Sequence, residues 1–218
     1  MTTREATAAL RVLRAASAAW DVPSVSFVAE NSGSPFQILI ATVLSLRTQD
    51  STTIHAARRL FALASDPRAM LALDEATIAK AIYPVGFYRQ KAGQIREICR
   101  ILLERYGGEV PRDLDALLEL PGVGRKTANL VVSLGYGLPG ICVDTHVHRI
   151  TNRWGYVETR TPEETEKALR AKLPRPYWIE INRLLVQFGQ GICRPISPRC
   201  STCPVARWCR RVGVTRAR

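Results

Sequence analysis

Helical periodicity runs through almost the whole chain and limits the fold more than any other feature. Residues 94–106, QIREICRILLERY, place apolar side chains three and four positions apart, with charged residues between them. Gly107 and Gly108 follow at once, as expected where a helix ends. No pair of alternating apolar and polar segments is joined by an Asn-Gly or Asp-Gly turn. We therefore expect an all-α protein.

The size and composition suit a globular chain. Its 218 residues, 46% of them hydrophobic, are enough for the core of one large domain or two small ones. The apolar run FQILIATVLSL, at 36–46, is too short to span a bilayer and predicts a buried central helix. The first twenty residues are basic and helical in spacing, which favours an amphipathic helix over a transit peptide.

The charge balance points to a polyanionic partner. The formal net charge is +12 and the isoelectric point is near 10.0. Such an excess favours nucleic acid, because every phosphate contact adds affinity. An ordinary basic surface is the alternative. Only five of the 31 basic residues are lysines, so each lysine is a candidate for a role beyond charge.

Four of the six cysteines are grouped near the end of the chain with the spacing C-x6-C-x2-C-x5-C. They are Cys193, Cys200, Cys203 and Cys209. Two disulfides are possible, but no signal peptide is evident, so a metal centre is favoured, either zinc or iron–sulfur. Only one short C-x2-C knuckle is present, and the wide first loop favours a structural [4Fe–4S] cluster. Arg194 and Arg199 lie in that loop.

The segment LPGVGRKTANL, at 120–130, combines a glycine turn with a lysine at the start of a helix. Gly122 and Gly124 allow positive φ and close approach of another molecule. The N–H groups at the start of the next helix suit a phosphate. A plain helical turn is the alternative, and the spacing does not match a nucleotide-binding phosphate loop.

Lys126 lies in the first turn of that helix. The positive end of the helix and partial burial both favour an uncharged amine. An uncharged amine is a nucleophile that can form a Schiff base. A lysine that binds phosphate is the alternative.

ICVDTHVHRI, at 141–150, places Asp144 between an apolar segment and a helix. Asp144 is either a helix cap or a carboxylate that stabilises positive charge and moves protons. His146 and His148 follow it, but no third ligand is near in sequence, so we predict no metal site there.

These motifs together, LPGVGRKTAN, then VDTHVHR, then the cysteine spacing, resemble the endonuclease III family. These are helix–hairpin–helix DNA glycosylases with a C-terminal iron–sulfur loop. The resemblance extends from about residue 34 to Cys209. It implies a six-helix domain over 28–138 and a cluster domain formed by 1–27 and 139–218, with DNA bound across the cleft between them.

The resemblance also implies an activity: removal of oxidised pyrimidines from duplex DNA, followed by cleavage of the strand 3′ to the lesion. Lys126 matches the nucleophile and Asp144 the catalytic aspartate. Ser45, Asp50 and His146 match pocket positions. The DNA-binding positions are Gly122, Val123, Gly124 and Arg125 in the hairpin, and Arg194 and Arg199 in the cysteine loop.

One segment departs from the family pattern. Members often carry glutamine in LSAQATD, where it fills the gap left by the flipped base, whereas this chain has LSLRTQD. Arg47 stands at that place and Gln49 two residues later, so either residue is a candidate. Phe87 falls at the position of an apolar wedge, with a core aromatic as the alternative.

Two other functions are consistent with parts of the sequence. One is a monofunctional glycosylase acting on mismatched adenine, thymine or uracil, against which Lys126 argues. The other is a DNA-binding protein without activity, with a zinc-held basic C-terminus. The favoured interpretation is a monomeric, cytoplasmic enzyme associated with the bacterial nucleoid and acting on duplex DNA with a damaged base or abasic site, without a membrane partner.

Overall fold

A computed structural model describes all 218 residues, and every regular element in it is a helix. The helices are α1 (Thr3–Ala16), α2 (Ser24–Ser32), α3 (Pro35–Ser45), α4 (Asp50–Leu63), α5 (Pro67–Ala72), α6 (Glu75–Ile82), α7 (Tyr88–Tyr106), α8 (Leu114–Leu118), α9 (Arg125–Tyr136), α10 (Thr145–Arg153), α11 (Pro162–Lys172) and α12 (Glu180–Gly191). Three short 3₁₀ turns cover Ser17–Ala19, Arg175–Tyr177 and Ala206–Trp208. The predicted all-α class is confirmed.

The chain divides into two compact units. The central unit is Ser24–Leu138, and the terminal unit combines Met1–Pro23 with Pro139–Arg218. The boundary predicted at residue 28 falls inside α2. Because α2 packs against α3 and α4, the whole helix belongs to the central unit.

The central unit is built around α3. The Ser34 side chain accepts a hydrogen bond from the Gln37 N–H at 3.4 Å, and Pro35 occupies the first helical position. Every side chain from 38 to 44 is buried. The helix packs against α2, α4 and α9, so an element that is apolar on all sides lies in the middle, as predicted.

Helix α7 is the longest element of the central unit and starts six residues before the predicted residue 94. Its first residue, Tyr88, follows Phe87, whose backbone is left-handed with φ 58°. The helix ends at Gly107, which has φ 61° and the conformation that favours glycine at a helix end. Contacts with α5 and α6 bury one face, including Cys99.

The core of the terminal unit joins segments that are distant in sequence. Helix α1 starts at a capping box in which Thr2 and Glu5 bond each other's backbone N–H. Leu10 and Leu13 of α1 are buried in one apolar cluster with Phe188 of α12. Residues 175–177 form a 3₁₀ turn, and the final helix, α12, starts at Glu180.

None of the twelve helices is both long enough and apolar enough to cross a membrane.

Candidate active site and metal centre

The glycine hairpin connects α8 to α9 and is closed by its own backbone. The Val123 N–H donates to the Leu120 carbonyl at 3.1 Å, and the Val123 side chain is buried. Gly122 has φ 74°, and a Cβ there would lie 3.2 Å from the side chain of Gln94. Gly124 has no atom within 4 Å of a Cβ position. Contact with Gln94 therefore explains the glycine at 122. Gly124 has no such neighbour, so the outer surface of the hairpin is open at that position.

Lys126 is the second residue of α9 and is partly buried. Its amine forms neither a hydrogen bond nor an ion pair within the chain, which excludes the possibility that it serves a structural ion pair. No side chain caps the start of α9. Arg125, the residue before it, is exposed. The amine is thus held at the positive end of a helix, next to a hairpin whose outer surface is open.

Asp144 caps α10 with one of its two carboxylate oxygens. Oδ1 accepts hydrogen bonds from the N–H groups of His146 and Val147, both at 2.9 Å. Oδ2 accepts none within the chain, and the residue is partly exposed. The capping role considered for Asp144 is therefore present. It fixes the orientation of the carboxylate and leaves its second oxygen available.

His146 lies beside a basic loop of the terminal unit. Its Nδ1 lies 3.1 Å from Nη2 of Arg149, which also donates to the Cys193 carbonyl at 2.9 Å. Burial is the main cause that lowers the pKa of Arg149. A Cβ at Gly189 would lie 2.3 Å from His146 Nδ1, so only glycine permits the imidazole to lie against α12. The imidazole borders a surface depression that also includes Arg194.

Arg47 and Phe87 form an exposed pair on two adjacent loops of the central unit. The Arg47 guanidinium lies over the Phe87 ring, 5.6 Å from its centroid. Both residues have left-handed backbones, with φ 54° and 58°. The Phe87 side chain is 58% exposed, so it is not a core aromatic. We call these two residues the wedge pair.

The other predicted residues of this region have local partners. Gln49 is the capping residue of α4 but makes no side-chain capping bond, and its side chain is exposed. Asp50 is the first residue of α4 and does not cap it. Asp50 instead accepts hydrogen bonds from the N–H and Oγ of Ser24, at 3.2 and 2.5 Å. The Ser45 hydroxyl donates to the Thr42 carbonyl at 2.8 Å.

The four grouped cysteines line one pocket of the terminal unit, and all four are free thiols. Trp154 and Phe188 contribute apolar surface to the pocket. Burial raises the pKa of Cys203 to about 11, the neighbouring cysteines adding to the effect. The spacing thus brings the four residues together as predicted.

Arg153 holds the first cysteine loop. Its guanidinium donates to the carbonyls of Arg194 and Pro195, both at 2.6 Å, and contacts Cys193 Sγ at 3.6 Å. The two carbonyl bonds hold the backbone of the loop, and Nε of Arg194 donates to the Gln190 carbonyl at 3.1 Å. Arg194 and Arg199 are exposed.

Comparison with known proteins assigns the family. The model of HhH-GPD superfamily base excision DNA repair proteins matches residues 40–175. Endonuclease III of Thermotoga maritima is 50% identical over 175 residues, which is 80% of this chain and 82% of that protein. The chain belongs to the endonuclease III family.

Solved structures agree with this membership. A structure titled as a non-covalent endonuclease III–DNA complex superimposes with a TM-score of 0.85 and 35% identity, over 97% of this chain and 96% of that one. A trapped endonuclease III–DNA covalent intermediate gives 0.84 and 34%, over 97% of each chain. The protein is therefore a base excision repair DNA glycosylase and AP lyase.

Sequence reasoning missed two residues that support the candidate sites of this protein. Lys91 is buried at 4% exposure and bonds the loop that carries Arg47. Its signal was present, since Lys91 and Ile95 share the apolar face of α7 at a spacing of four residues. Arg153 left no such signal, because a basic residue at the end of a helix is ordinary.

Proposed function

We propose that this endonuclease III removes oxidised pyrimidines from duplex DNA with Lys126 as its nucleophile. The observation that carries the proposal is the Lys126 amine, which has no partner in the chain and lies in the first turn of the helix after the glycine hairpin. A lysine needed only to stabilise the fold would have an acceptor.

The chemistry proceeds through a covalent intermediate. The damaged base is first flipped out of the stack, at a cost of a few kcal/mol. The Lys126 nitrogen then forms a bond to the sugar C1′ as the bond from C1′ to the base breaks, and the base leaves with a proton. Loss of the amine proton and opening of the sugar ring produce a Schiff base. Its positive nitrogen acidifies the C2′ hydrogen, whose removal expels the 3′ phosphate, and water then releases the lysine.

Asp144 is proposed as the catalytic carboxylate. Its capped Oδ1 fixes the orientation of the group, while Oδ2 remains available to accept a proton or to offset charge. A carboxylate stabilises the positive charge that develops as the base departs and helps to deprotonate the attacking amine. One side chain thereby serves both the local fold and the reaction.

Contacts with the DNA backbone are proposed for two surfaces. In the hairpin, Gly122, Gly124 and Arg125 are proposed to contact DNA through backbone N–H groups and Arg125 also through its exposed guanidinium, while Val123, whose N–H bonds the Leu120 carbonyl, closes the turn. Arg194 and Arg199 add charge from the cysteine loop, and a net charge of +12 supports binding to a polyanion.

The gap left by the flipped base is proposed to be filled by the wedge pair. Arg47 is exposed, left-handed and stacked on Phe87, so both side chains already project from the loops together. Gln49 is the weaker candidate, because its carbonyl accepts bonds from both the N–H and the hydroxyl of Thr53 at the start of α4. Ser45, Asp50 and His146 remain proposed pocket residues.

The four cysteines are proposed to hold a [4Fe–4S] cluster. The C-x6-C-x2-C-x5-C spacing has one short C-x2-C knuckle, whereas structural zinc sites usually have two, and a cubane takes one thiolate at each of its irons. The apolar lining and the adjacent arginines fit an anionic cluster, whose contribution is to hold the loop that carries Arg194 and Arg199.

Borohydride trapping tests this proposal. With duplex DNA containing one oxidised pyrimidine, the protein should become covalently attached to the DNA, and Lys126→Gln should abolish both attachment and strand cleavage while retaining DNA binding. Lys80→Gln is the matched control, since it removes one charge from an exposed lysine of the same unit. Cleavage by the Lys126→Gln protein would disprove the assignment. Base release without trapping by the unaltered protein would indicate a monofunctional glycosylase. Light scattering should show a monomer.

A further inference from the structure

Lys91 is a buried lysine without an acidic partner. It is 4% exposed, and its ammonium donates to the carbonyls of Leu44 and Leu46 at 2.9 and 2.6 Å. A third contact, at 3.5 Å, reaches the hydroxyl of Thr48. All three acceptors belong to the end of α3 and the loop that follows it. Burial lowers the pKa of Lys91 to about 8, and no carboxylate opposes that effect.

A lysine at this place is costly for stability alone. Removing an ammonium from water is unfavourable unless good bonds replace the hydration. An apolar side chain would fill the same position on α7 without that cost. The bonds from Lys91 therefore have to be explained by what they hold, which is the backbone just before Arg47 and the Thr48 side chain just after it.

The loop that carries Arg47 is also bonded directly to the loop that carries Phe87. The Gly86 N–H donates to the Thr48 hydroxyl at 3.1 Å. A Cβ at Gly86 would lie 2.6 Å from the Arg47 carbonyl oxygen, so only glycine permits the two loops to come this close. The Thr48 hydroxyl thus contacts both Gly86 and Lys91, so these three residues form one hydrogen-bonded network beneath the wedge pair. We call this network the connected base.

Helix α7 also contacts the glycine hairpin. Gln94, about one turn after Lys91, packs against Gly122 so closely that a Cβ there would lie 3.2 Å away. The same helix therefore provides a rigid reference for the wedge pair and for the hairpin, both within the central unit. A change in the Lys91 bonds would move the wedge pair relative to the hairpin.

We propose that Lys91 is a positioning residue that holds the wedge pair in the geometry needed to fill the gap in the DNA duplex. This role rests on the proposed function, in which Arg47 and Phe87 enter the DNA. Lys91 itself contacts no DNA. It fixes Arg47 and Phe87 in their left-handed conformations before binding, so that these residues do not have to become ordered when the DNA binds.

The first test measures the loops without DNA. In Lys91→Met, amide hydrogen exchange at Thr48 and Gly86 should become faster by about tenfold or more, since both amides belong to the connected base. Lys80→Met, which changes an exposed lysine of α6, should leave both rates unchanged. If Lys91→Met does not fold, Thr48→Val removes the bridging hydroxyl with little change of shape and should give the same result at Gly86. Unchanged exchange in the variant that folds would overturn the holding role.

The second test separates positioning from general damage. Single-turnover excision from lesion duplex by Lys91→Met or Thr48→Val should fall about ten- to a hundredfold. Cleavage of an abasic site in single-stranded DNA should change less than about twofold, because no opposite strand leaves a gap to fill. Equal losses on both substrates would show a merely structural lysine. Normal excision from duplex DNA by Arg47→Ala and Phe87→Ala would instead show that the wedge pair does not fill the gap, so the proposed function would fail at that point. The exchange data would still report separately whether Lys91 holds the two loops.

Discussion

Asp144 is predicted to carry two roles that a pair of substitutions can separate. Its Oδ1 makes two capping bonds of 2.9 Å at the start of α10. Loss of an aspartate cap costs about 0.5–2 kcal/mol, and two good bonds place Asp144→Ala in the upper half of that range. In a chain of this length, that corresponds to a melting temperature lower by about 3–6 °C.

Asp144→Asn should behave differently. Asparagine caps helices as well as aspartate does, so only the favourable interaction of a charge with the helix end is lost, at about 0.3–1 kcal/mol. Its amide cannot act as a base or offset a cation, so single-turnover excision should fall about 10²–10⁴-fold. Thermal unfolding and excision from lesion duplex are measured on both variants. An Asn variant as unstable as the Ala variant, or one with normal excision, would refute this separation of roles.

Three other predictions follow from single contacts. Gly122→Ala should lower the unfolding free energy by about 1–2 kcal/mol because of the positive φ and the contact with Gln94. Gly124→Ala should leave stability unchanged and weaken DNA binding in a gel-shift assay. Equal stability of the two variants would contradict this prediction. Burial lowers the Lys91 pKa from 10.5 to about 8. Between about pH 8 and pH 10.5 the unfolded chain therefore binds more protons than the folded chain, and the free energy of unfolding rises with pH. Urea unfolding of Lys91→Met should lack that rise. Arg153→Met should speed the chelator-induced loss of the visible absorption expected of the proposed cluster about tenfold. An unchanged rate would show that the Arg153 bonds to the cysteine loop are dispensable.

The fold was largely predictable because its signals are local. The glycine after α7 and the buried apolar helix α3 appear in the structure as the sequence indicates. Errors arose where a tertiary contact competes with a local preference. Asp50 resembles a helix cap, but Ser24, twenty-six residues earlier, takes its carboxylate. Local spacing contains no information about such a distant partner.

The residues of the candidate sites also fall into two groups, those that local spacing predicts and those that depend on a tertiary contact. Lys126 and the four cysteines are predicted from sequence because each has a fixed spacing beside a glycine turn or a C-x2-C knuckle. Lys91 and Arg153 are not, because each acts on backbone carbonyls, which every residue possesses. Because any residue can supply the accepting carbonyl, no characteristic residue type at that position reveals the bond in the sequence. Supporting residues of this kind require coordinates.

Several of the proposed site residues lie at the start of a helix, and this placement has a physical reason. Lys126, Asp144 and Phe87 occupy the first turn or the capping position of α9, α10 and α7. A helix start provides unpaired N–H groups and a positive end, which bind phosphate, fix a carboxylate and disfavour an ammonium ion. An all-α protein has no strand ends at which to place polar groups, so its helix starts supply that chemistry. Helix α7 differs, because its capping residue Phe87 makes no side-chain bond, and the Lys91 ammonium near the same helix start is held by the Leu44 and Leu46 carbonyls of the neighbouring segment.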